Sequence, residues 1–128
     1  MDRIFARIAA VLAFIIGAMA VFAGGRVLLG TDPGYFVINW LPVYNFVAGV
    51  LTVLVTAPLI WRESRYAWPA ALATFGAHAV VMLILLTASR SVVATESIVA
   101  MTVRLTVWLV ILVLMFLQGR KDRQLTPA

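Results

Sequence analysis

The chain has 128 residues and a mass of 14.0 kDa, with 64% apolar residues, 12% charged residues and a mean hydropathy of +1.07. Soluble domains are roughly 45–50% apolar and about 25% charged, so this composition excludes both a water-soluble globular domain and a disordered chain and points to an integral membrane protein. Ten basic residues against five acidic ones give a net charge of +5, but the basic residues sit at the ends of apolar runs rather than in a stripe that could track a phosphate backbone, so no nucleic-acid partner is expected.

Four apolar runs, at about 4–25, 41–61, 67–87 and 95–117, each meet the requirement of roughly 20 residues for a helical span. Runs of this length read as helices rather than barrel strands, which are shorter and alternate. The expected fold is therefore all-α: an integral membrane four-helix bundle forming a single domain, with a polar, frayed tail at 118–128. The first run is longer than the roughly 7–15 residues of a signal-peptide core, so the first helix is expected to be retained.

Local signals punctuate the runs. Gly24-Gly25 is expected to loosen the end of the first helix. The first connection holds an Asp32-Pro33-Gly34 turn signal, and its Tyr35, Phe36 and Trp40 suit a stretch lying at the membrane interface. Pro42 and Pro69 fall in the first turns of helices two and three, where a missing N–H costs little. Pro58 marks a kink or an end of helix two. Thr95 is placed to cap helix four.

Orientation follows from the basic residues. Arg3, Arg7, Arg62, Arg65, Arg120, Lys121 and Arg123 fall on one side, against Arg26 and Arg90 on the other. The excess marks the cytoplasmic face, so both termini are expected to be cytoplasmic in a multi-pass protein of the cell membrane.

Lipid offers little hydrophobic drive between helices, so small residues mark close approaches. Helix one carries Ala9, Ala13, Gly17, Ala20 and Gly24, and helix three carries Ala73, Gly76 and Ala77. Packing within the chain is the expected use of these faces, with a homo-oligomer or another membrane subunit as the alternative partner. Of the large residues in helix four, Trp108, Leu114, Met115 and Phe116 suit either the core or the lipid face.

The candidate functional residues are the polar ones inside the spans: Asn45, His78, Glu96 and Arg104. An intramembrane charge is costly and normally faces the bundle interior with a partner. At a rise of about 1.5 Å per residue, His78 and Arg104 both lie about 13 Å below the same end of the bundle. Asn45 is about one turn deep and Glu96 lies at the mouth, so the four are expected to line one outward-facing ligand-binding pocket. The functional reading of Arg104 is an anion or polar-headgroup site, and its structural readings are as a partner of Glu96 or of backbone carbonyls. Trp108, one turn further along helix four, is placed to stack on it.

No cysteine is present, which removes thiol chemistry, and a single histidine cannot by itself build a multi-histidine metal site. No phosphate loop, dinucleotide motif or zinc-protease pair occurs. No catalytic residue, cofactor or metal is assigned. Small multidrug exporters resemble the chain in size but carry a glutamate in the first helix, which is missing here. Fluoride channels of dual topology lack its charge bias, and DoxX-like proteins are similar in size and helix number only. The expected function is that of a binding or accessory subunit, with enzymatic activity left open. The alternatives are a small-solute transporter or channel, and a membrane redox or lipid-modifying enzyme using His78 and Glu96.

Overall fold

The computed structural model describes residues 3–125, with side chains as far as Arg123. Four helices, α1 (Ile4–Leu28), α2 (Leu41–Trp61), α3 (Ala67–Leu86) and α4 (Thr95–Leu125), are each long and apolar enough to cross a membrane. Both described chain ends and the α2–α3 turn share one end of the bundle, where the backbone N–H of Ala6 donates to Oε1 of Gln118 and Arg3 pairs with Glu63. This terminal end gathers the seven basic residues of the larger cluster, and the α1–α2 and α3–α4 connections form the opposite, loop end.

Apolar side chains point outward, with Phe22 66% and Leu83 62% exposed, whereas Thr52, Thr56, His78, Arg104 and Gln118 are buried. That inversion of the soluble pattern suits lipid contact. Trp61, Tyr66 and Trp68 are exposed at the terminal end, and Tyr35, Phe36 and Trp40 at the loop end, as the aromatic belts of a membrane protein require.

The small face of α1 packs within the chain. Ala9, Ala13, Gly17, Ala20 and Gly24 are all buried. A Cβ on Gly24 would stand 2.5 Å from the carbonyl oxygen of Pro42, and one on Gly49 would stand 2.7 Å from that of Gly17. Backbone therefore meets backbone where α1 and α2 cross. The face of α3 behaves differently: Ala73 and Ala77 are exposed, and no atom of another element lies within 4 Å of a Cβ built on Gly76. Ala67 and Ala71 make the buried contact instead.

The core has two parts. Towards the terminal end, Ala9, Ala13, Ile60, Ala71, Trp108 and Ile111 pack together. Towards the loop end, Ile38 of the first connection packs on Leu41, Val81, Leu85 and Met101. The long first connection thus folds over the bundle, although Tyr35, Phe36 and Trp40 keep their outward exposure. Trp108 is fully buried, Phe116 is exposed, and Leu114 and Met115 are partly buried.

Four local readings change. Helix α1 passes through Gly24-Gly25 because Gly24 is held against α2, and it unwinds instead at Gly30, whose φ is +97°. Helix α4 runs on to Leu125 rather than fraying from residue 118, because buried Gln118 is anchored to Ala6 and donates to Asp122 one turn on; residues 126–128 of the expected tail lie outside the described residues. The carbonyl of Ala94 accepts the first bond of α4, from the N–H of Ile98, so Thr95 is already helical rather than a cap. Helix α2 neither stops nor breaks at Pro58: it widens into a π turn at Thr52–Thr56, where the N–H of Ala57 donates to the carbonyl of Thr52. The wider turn relieves the clash of a proline ring with the carbonyl four residues back. The expected turn at Asp32-Pro33-Gly34 is present, with the Gly34 N–H donating to Oδ1 of Asp32 at 2.9 Å.

Candidate functional site

Three helices bring polar side chains to one layer. On α2, Tyr44 and Asn45 are consecutive and so point about 100° apart around the helix. Tyr44 reaches α3, where its hydroxyl is hydrogen-bonded to Nδ1 of His78 at 2.6 Å with the rings edge to face. The imidazole tautomer decides which of the two donates. Asn45 reaches α4, where its Oδ1 accepts from the Arg104 guanidinium at 2.5 Å. Arg104 and Trp108 are one turn apart on the same face of α4. The Trp108 ring lies 6.4 Å from that of His78, so the aromatic neighbour that the structure gives it is the imidazole rather than the guanidinium.

Space for these large side chains comes from small ones. Gly17 and Ala20 of α1 and Ala48 and Gly49 of α2 line a tight cavity, too narrow for a water, shared with His78, Arg104 and Trp108. The close α1–α2 crossing and the burial of a guanidinium are thus one arrangement. Arg104 is 6% exposed, and no carboxylate pairs with it among the described residues. The indole Nε1 of Trp108 is buried without a hydrogen-bond partner.

On its loop-end side Arg104 lines a second cavity of about 50 Å³, together with Asn45, Tyr35 of the first connection and Ser97 of α4. Of the four residues expected to line one pocket, Asn45 and Arg104 share this cavity, and His78 joins Arg104 in the tight one beneath. Glu96 stands apart: it is exposed in the first turn of α4 and lines neither cavity. It favours the helix dipole there. Tyr35, Tyr44 and Ser97 were not singled out in the sequence as pocket residues. Tyr44 offered only its place beside Asn45 as a signal, since by helical rise it lies shallower than His78. Tyr35 had none, because its position depends on how the connection folds back.

Two larger hollows lie elsewhere. One of about 500 Å³ at the terminal end is lined by Trp68, Phe116, Glu63 and Asp122 among others. Another of about 350 Å³ runs between α2 and α3, lined mainly by Val47, Leu51, Ala73 and Ala77, with Tyr44 and His78 also on its wall. The second is lined by no Lys, Arg, Asp or Glu, and the arginine on the first, Arg123, is exposed rather than buried like Arg104.

Fold and site together describe an all-α protein with four membrane-type helices and a polar layer built around a buried arginine. Compared with known proteins, the chain matches no family model, no curated protein and no solved structure.

Proposed function

We propose that the protein is a small multi-pass protein of the cell membrane that works as a binding or accessory subunit, through a ligand pocket at Arg104 that opens outward. The charge bias supports cytoplasmic termini, an orientation that turns the loop end and the Arg104 cavity to the outside. One observation carries the reading: a guanidinium that is 6% exposed, held by the neutral Asn45 and facing a cavity rather than a carboxylate. Burying an unpaired charge is costly, and intramembrane arginines mark ligand or ion sites by default. The alternative enzymatic reading with His78 and Glu96 has less support, since His78 is bonded to Tyr44 and Glu96 is exposed outside the layer.

The test uses the absence of cysteine from the chain. A Ser97→Cys variant in intact cells or outward-oriented vesicles is treated with small anionic and cationic thiosulfonate reagents from outside. The expected result is faster modification by the anionic reagent, with the preference lost on adding Arg104→Gln. Equal rates for the two reagents, or no reaction from outside, would overturn the reading.

A further inference from the structure

We propose that the Arg104 cavity is a binding site for one small monovalent anion, of which chloride is the simplest. This rests on the outward-facing pocket proposed above and names what occupies it.

Size sets the first limit. On the measure that gives this cavity about 50 Å³, a single water needs roughly 10–15 Å³. A halide with a water or two fits, and a complete phospholipid headgroup or a nucleotide does not. Charge sets the second. Arg104 is the one charged side chain lining the cavity among the described residues. A monovalent anion brings the buried site to neutrality, while sulfate or a phosphate dianion leaves a net negative charge in a low-dielectric surrounding, where it is costly. Donor chemistry sets the third. The Asn45 carbonyl takes one guanidinium N–H, which leaves other donors of the five that a guanidinium carries. Ser97 and Tyr35 also line the space, and each carries a hydroxyl able to donate to an anion. No carboxylate lines it to repel one.

A phosphodiester is also monovalent, so a lipid headgroup inserting its phosphate presents the same chemistry as a free anion, and the experiment separates the two sources. The full chain is purified in detergent in sodium gluconate, then titrated with chloride, bromide or sulfate at constant ionic strength. Thermal unfolding and the ³⁵Cl NMR line width are followed. The unfolding midpoint is expected to rise with the logarithm of chloride or bromide concentration above the dissociation constant, by several degrees once the halide exceeds it ~100-fold. Sulfate is expected to give no such rise. Excess ³⁵Cl broadening is expected in the native chain and in Arg90→Gln, which alters an exposed arginine at the same end of the bundle, and is expected to vanish in Arg104→Gln.

Arg104→Gln alone can fail by misfolding, so Asn45→Asp provides a second variant. It places a carboxylate where the 2.5 Å bond now ends, supplying the counter-ion from within. It should raise the midpoint in gluconate and abolish the halide response. A halide response that survives in Asn45→Asp, or sulfate acting as well as chloride, overturns the inference. So does stabilisation by added phosphatidylglycerol that chloride cannot displace. If halide has no effect while the Ser97→Cys variant still prefers anionic reagents, the anion assignment fails and the pocket stands; if both effects are missing, both fall.

Discussion

Asn45 and Arg104 are 59 positions apart in the chain, and their side chains meet at 2.5 Å across the bundle. The bond joins the loop-end half of α2 to the loop-end third of α4, and it holds a charge that has no carboxylate partner among the described residues. A neutral acceptor holds the guanidinium in place without neutralising it, so the charge remains available to a ligand.

A double-mutant cycle measures that bond. Asn45→Ala leaves a buried guanidinium without its acceptor and is expected to cost about 1.5–3 kcal/mol, the range for hydrogen bonds to charged groups. In an Arg104→Met background nothing charged is left to satisfy, and the same substitution is expected to cost under about 1 kcal/mol. Unfolding of the native chain and the three purified variants in mixed detergent micelles gives the coupling. Equal costs in the two backgrounds would mean that the bond contributes nothing.

Glycine positions divide by the same geometry. Gly24→Ala and Gly49→Ala each drive a Cβ to within 2.7 Å or less of backbone atoms on the facing helix. Backbone cannot yield as a side-chain tip can, so each is expected to destabilise by about 1–3 kcal/mol as overpacking. Gly76→Ala meets nothing within 4 Å and gains helix propensity, so it is expected to be neutral or to stabilise by up to about 1 kcal/mol. Thermal unfolding of the three variants ranks them, and the reverse order would contradict the crossing of α1 and α2 described above.

The spans and the likeness in depth of His78 and Arg104 were legible in the sequence because apolar length and helical rise are local properties. The partners were not. Asn45 meets Arg104 and Tyr44 meets His78 because two consecutive residues of α2 face different helices, and which helix each faces depends on the rotation of α2 in the bundle. The same limit hid Gly49, whose role exists only opposite Gly17. Glu96 was expected at the mouth of the pocket, about 80° around α4 from Arg104, an angle that allows a shared side but does not fix one; the structure leaves it exposed, outside both cavities. Helix α4 ran past its apolar stretch because Gln118 has a partner on α1, a contact that no periodicity reveals.

Orientation is open to direct labelling. Thr31→Cys lies in the first connection, and Tyr66→Cys lies at the α2–α3 turn beside Arg62 and Arg65; both native side chains are exposed. With a membrane-impermeant maleimide on intact cells, Thr31→Cys is expected to be labelled and Tyr66→Cys only after permeabilisation. The opposite pattern would turn the Arg104 cavity to the cytoplasm and remove the outward reading.

The π turn of α2 sets the register between its two halves. It carries one residue more than an α-helical path between the same faces, and Leu54 within it is 68% exposed. Deleting Leu54 converts the turn to α-helix while Tyr44 and Asn45 before it, and Ala57 and Ile60 after it, keep their faces. Pro58 would then clash with a carbonyl in the preceding turn, so the deletion is paired with Pro58→Ala. The paired variant is expected to stay folded and to keep the anionic preference of the Ser97→Cys assay. Deleting Val47 instead, in a regular part of the helix, rotates Tyr44 and Asn45 by about 100° relative to the rest of α2. Both hydrogen bonds are then lost, and the cost is expected to exceed that of Asn45→Ala alone. Equal tolerance of the two deletions, read by unfolding and by the labelling rates, would mean that the rotation of α2 does not position the polar layer.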